Sequence, residues 1–241
     1  MKNYLITGVS RGLGLKIAEA LLADGSARVW GIGRSRTDGI GSLGARFGDR
    51  FNYLRFDLAD VGRVRSEVFG GFYPAGEPLS GLVNNAAVAY ADLATNLKLE
   101  PLENMFAVNV YSAMFLADFA IRNMILHGVA GSIVNISSVC AGRGYKGLSM
   151  YAATKGALEA FSKNISREWG RYGIRSNCVA AGFMDTDMSS PLSAADRAKI
   201  AARSSLKREV SVESVAAAVK FLLSPESASI TGEVVRVDAG A

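Results

Sequence analysis

Tyr151 and Lys155, four residues apart in Tyr151-Ala152-Ala153-Thr154-Lys155, are an acid–base pair in the making. The run around them is helical in pattern, and residues four apart share one helix face. A phenol titrates near 10, too high for easy proton exchange at neutral pH. A neighbouring ammonium favours the phenolate and draws that value down, and proton transfer works best when the group's pKa lies near the working pH. Such a couple can give a proton to a carbonyl oxygen during reduction, or take one from an alcohol during oxidation. Few other groups compete for the role. The chain holds one histidine, His127, and two cysteines, Cys140 and Cys178. That is too few for a His/Cys zinc site or a disulfide scaffold, and a Ser-His-Asp mechanism would have to recruit His127. Tyr-x-x-x-Lys alone occurs often by chance, so its context decides.

The context includes Thr7-Gly8-Val9-Ser10-Arg11-Gly12-Leu13-Gly14, which follows a first apolar strand and opens a helix. Glycines there allow a tight turn and close approach of a pyrophosphate, and a helix N-terminus offers unpaired N–H groups with partial positive charge. Ser137 and Ser138 stand just after a later strand, at the edge where doubly wound sheets bind ligands. Either hydroxyl can meet a substrate oxygen. The end of the second strand reads Gly33-Arg34-Ser35-Arg36, with no acid to hold a ribose 2′-hydroxyl. Arg34 suits a 2′-phosphate, and Arg11 is a second basic group in the glycine turn. NADP(H) is therefore expected over NAD(H).

Strands alternating with helices must position these residues. Apolar strands are expected at Tyr4–Ile6, Arg28–Gly33, Phe51–Phe56, Leu79–Val83, Ser132–Ile136, Ile174–Val179 and Glu233–Val237. Helices are expected from Leu13, over Glu100–His127 and Met150–Tyr172, and over Val215–Leu223. This order predicts an α/β protein with a parallel sheet covered on both faces, a Rossmann-type doubly wound fold of three layers. With 241 residues and 49% hydrophobic content, one domain spanning 1–241 is expected. The stretch around 184–208 is too long for an ordinary connection and reads as a substrate lid.

These features resemble the short-chain dehydrogenase/reductases. Thr-Gly-x-x-x-Gly-x-Gly matches that family's cofactor turn, and further signatures recur in order along nearly the whole chain. The resemblance implies a catalytic tetrad of Asn109, Ser138, Tyr151 and Lys155. Ser138 is chosen over Ser137 because the family spaces its serine 13 positions before the tyrosine. The resemblance assigns Asn109 to holding a water in a proton relay through Lys155, and gives Lys155 the nicotinamide ribose as well. It implies that Gly8, Ser10, Arg11, Gly12, Leu13, Gly14 and Arg34 contact the cofactor, with Asp57 and Leu58 at the adenine. Asn85 and Ala86 of the Asn84-Asn85-Ala86 run lie beside the cofactor, and Gly182 and Thr186 lie on the nicotinamide side. The chain departs from the family at Ala87, where Gly is usual, and at Ala181, where Pro is usual.

Within the family the chain is similar to 3-oxoacyl-[acyl-carrier-protein] reductases, through Gly173–Asn177 and Gly182–Met188. This implies reduction of a carbonyl to a secondary alcohol, with a 3-oxoacyl thioester on acyl carrier protein or CoA as one substrate. Sugars, polyols, steroids and small ketones are the alternatives, and a catalytically idle nucleotide sensor is a third. Arg197, Lys199, Arg203, Lys207 and Arg208 place basic charge on the lid, suited to an acidic carrier or simply to water. The net charge of +5 implies no nucleic-acid partner. No metal is expected, Asp185 and Asp187 notwithstanding. His127 reads as structural, and Cys140 as a small buried hydrophobe. The opening residues lack a signal peptide's h-region. Met105–Leu126 is broken by Asn109, Asp118, Arg122 and Asn123, so no membrane span is expected, and the expected setting is the cytoplasm. A homotetramer or homodimer is implied through the helices at Glu100–His127 and Met150–Tyr172, with Phe161 and Trp169 in the contact.

Overall fold

A computed structural model describes residues 1–185 and 193–241. Strands β1 (Lys2–Thr7), β2 (Ala27–Gly33), β3 (Phe51–Arg55), β4 (Leu79–Asn84), β5 (Ser132–Ser138), β6 (Arg175–Ala181) and β7 (Val234–Val237) form one sheet. Their order is β3-β2-β1-β4-β5-β6-β7, and every pairing is parallel. The helices are α1 (Gly12–Leu22), α2 (Asp38–Phe47), α3 (Leu99–Phe106), α4 (Ser112–Leu126), α5 (Ser149–Trp169), α6 (Ala194–Arg203) and α7 (Val212–Leu223).

Residue alternation along the strands divides the core in two. Tyr4 and Ile6 of β1 pack with Leu13, Ile17 and Leu21 of α1, Ile40 and Leu43 of α2, and Val215, Val219 and Leu222 of α7. Leu5, between them, packs with Leu116, Ala120 and Met124 of α4 and Ile165 of α5. The sheet is thus covered on both faces, which is why its central strands read as apolar runs without polar alternation. This is the expected three-layer, doubly wound architecture. The chain leaves β1 toward β2 on one side and returns to β4 on the other, so the crevice of the topological switch opens beyond the C-terminal ends of β1 and β4.

The helix expected over Glu100–His127 is not continuous. It runs as α3, a wide π-helical turn over Ala107–Tyr111, and α4. The turn centres on Asn109, which is bonded away from the helix on both sides, as described below. By length and mean hydropathy the 28-residue stretch Leu99–Leu126 does pass as a membrane-crossing helix, contrary to the sequence expectation. Its Leu116, Ala117, Ala120 and Met124 are nonetheless buried against the sheet, as in the core helix of a globular protein. Two helices were not foreseen. In α2, Gly39, Gly41 and Gly44 hide a helix that Thr37 caps by accepting from the Ile40 N–H. In α6, Ser193 caps by accepting from the Asp196 N–H at 3.1 Å.

Candidate active site

The glycine turn is bolted to the end of β4. Thr7 Oγ1 accepts from the N–H groups of Asn85 and Ala86, each at 2.9 Å. Asn85 Nδ2 donates back to the carbonyls of Thr7 at 2.9 Å and Gly8 at 3.2 Å. Gly8 has φ +72°, where a side chain is strained, and a Cβ on it would lie 2.7 Å from Asn85 Nδ2. A Cβ on Gly14 would collide with the Gly8 carbonyl oxygen and come within 2.5 Å of Asn85 Nδ2. These glycines therefore let helix, turn and strand end close on one another. Helix α1 starts at Gly12 with no acid in its first turn, and no side chain caps its first N–H groups. That donor set fits a pyrophosphate.

The rim of the crevice is built by contacts that the sequence reading missed. Tyr53 of β3 donates to the Ser35 carbonyl at 2.7 Å and meets Ser10 Oγ at 3.3 Å. Thr37 Oγ1 donates to the Ser10 carbonyl at 2.6 Å. Gly33 is glycine because Ser10 Oγ occupies the space a Cβ would need. The turn after β2 is thereby held against the glycine turn, with Arg11 and Arg34 both exposed beside it. Arg55 Nε donates to the Arg34 carbonyl at 3.1 Å. Leu13 and Leu58 are core residues, 7% and 5% exposed, so they can offer a ligand only main chain. Asp57 is exposed, its Oδ1 accepting from the Ala59 N–H at 3.0 Å. Gly182 packs on Asp238, where a Cβ would lie 2.7 Å from that residue's Cα. Thr186 lies outside the described residues.

The tetrad candidates converge on the end of β5. Lys155 is 2% exposed. Its Nζ donates to the Ile136 carbonyl at 2.7 Å and lies 5.5 Å from the Tyr151 ring centroid. Asn109, 1% exposed, is pinned by its amide: Oδ1 accepts from the Val88 N–H at 2.8 Å, and Nδ2 donates to the Val88 carbonyl at 2.9 Å and to Thr154 Oγ1 at 3.0 Å. Its side chain is thus committed to positioning, tying the π-helical turn to the residue preceding Lys155. Ser138 Oγ accepts from the Cys140 N–H at 3.3 Å. Ser137, the competing serine, is 2% exposed and donates to Glu159 Oε1 at 2.6 Å. The structure thereby separates the two hydroxyls, one committed to α5 and the other at the strand end.

Electrostatics here follow burial. Desolvation lowers Lys155 from 10.5 to about 8, against smaller opposing contributions from the thiols of Cys140 and Cys178. Desolvation, with a smaller contribution from Cys140, also pushes the Tyr151 phenol above its ordinary 10. The expected drawing-down of the phenol by Lys155 is absent, because the ammonium turns to the Ile136 carbonyl. Cys140 and Cys178 are buried free thiols, and burial raises both. No cluster of metal-ligating side chains occurs among the described residues. His127 Nε2 lies 3.1 Å from the Ala75 carbonyl oxygen, which secures a loop far from this site.

The basic residues between 194 and 208 are partly engaged within their own segment. Arg197 of α6 holds Asp185 at 2.6 Å and grips Glu209 through two nitrogens, at 3.1 and 3.0 Å. Lys199 pairs with Asp196 at 3.5 Å. Lys207 Nζ donates to the Ala202 carbonyl at 2.8 Å.

The chain is similar to known proteins along nearly its whole length. Residues 8–241 match the family model described as Enoyl-(Acyl carrier protein) reductase. The chain is 36% identical over 239 residues to 3-oxoacyl-[acyl-carrier-protein] reductase FabG of Escherichia coli (strain K12), covering 99% of this chain and 96% of that protein. It is 31% identical over 240 residues to the Chlamydia pneumoniae protein of the same name, with the same coverage. Among solved structures it is similar to a gluconate 5-dehydrogenase from Burkholderia cenocepacia J2315 in complex with NADP and tartrate. That match has a TM-score of 0.90 and 30% identity over 99% of this chain and 94% of the other.

Proposed function

The chain belongs to the short-chain dehydrogenase/reductase family of oxidoreductases, and from that premise we propose that it uses NADP(H) to interconvert a carbonyl and a secondary alcohol, reducing a 3-oxoacyl thioester. One observation carries the mechanism: a lysine buried to 2% exposure, with its ammonium 5.5 Å from the Tyr151 ring and bonded to β5 two residues before Ser138. A buried ammonium is costly, and packing alone gives no reason to keep one there.

A bound nicotinamide dinucleotide supplies the hydride. Gly8, Ser10, Gly12, Gly14, Asn85 and Ala86 would hold its pyrophosphate side, and Arg11 and Arg34 its 2′-phosphate. Asp57 and the main chain at Leu58 would meet the adenine, and Gly182 and Thr186 the nicotinamide side. Ser138 Oγ orients the substrate oxygen by a hydrogen bond. Tyr151 Oη gives that oxygen its proton in reduction and takes it back in oxidation. Lys155, anchored to the Ile136 carbonyl beside the Tyr151 ring, would hold the nicotinamide ribose, and Asn109 fixes the helix segment that carries both. The acyl chain is delivered as a thioester on acyl carrier protein or CoA, supported by the names of the curated relatives.

A second reading, a sugar-acid substrate, is favoured by the similarity to the gluconate 5-dehydrogenase. In both readings residues 1–241 act as one domain in the cytoplasm, with the lid around 184–208. The chain assembles as a homotetramer or homodimer through α4 and α5. Phe161 and Trp169, partly buried against the core, would contribute to that contact together with the exposed Tyr111, Phe115 and Leu126.

The test replaces Tyr151 with Phe and follows NADPH oxidation with acetoacetyl thioesters and with keto-sugar acids. A general acid contributes about 100- to 10,000-fold, so turnover should fall at least about 100-fold with NADPH binding retained. Undiminished turnover would overturn the assignment, and preference for the sugar acid would select the second reading.

A further inference from the structure

Ser137 and Glu159 have no part in the chemistry above, yet they form a short bond at its base. We propose that they are a positioning pair that sets the register of α5 on β5, and with it the place of Tyr151 relative to Ser138. The inference rests on the reading of Tyr151 as proton donor.

Two successive turns of α5 are joined to two successive residues of β5. Lys155 donates to the Ile136 carbonyl at 2.7 Å. One helical turn later, Glu159 Oε1 accepts from Ser137 Oγ at 2.6 Å, the length of a hydroxyl bound to a carboxylate, about 2.5–2.7 Å. One bond alone leaves the helix able to pivot about that point; two bonds fix its rotation and its slide. Tyr151 lies one turn before Lys155 on the same face, so it moves with any pivot.

The surroundings keep Glu159 in reach of the strand. Ser137 is in register with Ala180 of β6, which is in register with Arg236 of β7. The small Ala180 leaves a pocket of about 200 Å³, lined also by Glu159, Lys163 and Arg236. The Glu159 carboxylate thus shares a polar pocket with Lys163 and Arg236 at the foot of the strand. Ser137 also gains a reason to be serine: its hydroxyl is the donor that the carboxylate needs, and it is thereby withheld from substrate.

The experiment compares Ser137→Ala, Glu159→Ala, the double variant carrying both alanines, and Glu159→Gln with the wild type in two readouts. The first is kcat and KM for NADPH and substrate; the second is amide exchange across Tyr151–Glu159. A displacement of about 1 Å in a reacting group can cost about 100-fold. Ser137→Ala and Glu159→Ala should each lose 10- to 100-fold in kcat, with the KM for NADPH within about twofold. The double variant should be no worse than either single one, since partners in one bond are not additive. Glu159→Gln keeps an acceptor and should retain kcat within about threefold. Exchange should quicken about tenfold in the two alanine variants alone.

Unchanged kcat in the folded alanine variants would overturn the proposal, as would a loss confined to KM, or additive losses. Failure of both alanine variants to fold, with Glu159→Gln normal, would also overturn it by making the bond a stability element. Wild-type protein inactive on every carbonyl tried would overturn the proposed function instead, and unchanged exchange in the alanine variants would still count against the pair.

Discussion

Replacing Lys155 with Met should make the protein more stable at neutral pH while removing its catalysis. The lysine is 2% exposed, and burial holds its pKa at about 8, below the ordinary 10.5. At ~1.4 kcal/mol per pH unit, the charged form burdens the folded state by about 3 kcal/mol at pH 7. Methionine is of similar size and fills the space with little strain. The change removes the donor to the Ile136 carbonyl, a loss of about 1 kcal/mol. The variant should thus be more stable by about 2 kcal/mol at pH 7.

The sign reverses with pH. Between about 8 and 10.5 the unfolded wild-type chain binds the lysine proton more firmly than the folded one, so wild-type stability rises with pH across that window. The burden is full below pH 8 and relieved above it, so the two proteins should become equally stable at roughly pH 10. Urea unfolding at pH 7, 8, 9 and 10 measures the gap, and most other titrating groups cancel between the two proteins. A variant less stable than wild type at pH 7, or a gap independent of pH, would refute the reasoning.

Gly14→Ala puts a methyl group against the Gly8 carbonyl and 2.5 Å from Asn85 Nδ2. The clash is with backbone, so about 2–3 kcal/mol should be lost, with NADPH binding weakened at least about tenfold; wild-type unfolding and binding curves would contradict this. Arg34→Ala should raise the KM for NADPH about 10- to 100-fold, as expected for loss of a charged hydrogen bond of about 1.5–3 kcal/mol, and leave NADH nearly unchanged. Equal changes for both cofactors would remove Arg34 from the 2′-phosphate.

Periodicity was enough to predict the layered fold, because strands buried on both faces and helices with one apolar stripe have different repeats. It failed where the cause was tertiary. Asn109 looked like one more helical residue, and only its bonds to Val88 and Thr154 show why the helix widens there. Three glycines concealed α2, whose cap and packing against α1 outweigh their poor propensity. The acid–base pair was legible as a spacing of four, but its electrostatics were not. A spacing places the ammonium near the phenol; burial and the Ile136 carbonyl decide where the charge points. Ser137 and Ser138 were indistinguishable by type, and Glu159, 22 residues from Ser137, separates them.

The proposed lid bears on the substrate question, and its ion pairs change the terms. Along the sequence, five basic residues with no acid from Arg197 to Arg208 read as a patch for an acidic carrier. In space, Asp185 and Glu209 close on Arg197 from both ends of the lid, and Asp196 sits against Lys199. Desolvating or redirecting these cations toward a partner would first break the lid's own bonds. Lys207 is likewise bent back to the Ala202 carbonyl, with φ +53°. Arg203 and Arg208 make no side-chain ion pair among the described residues. An acidic carrier would therefore meet Arg203 and Arg208 without first breaking an ion pair, whereas Arg197 joins Asp185 and Glu209 across α6.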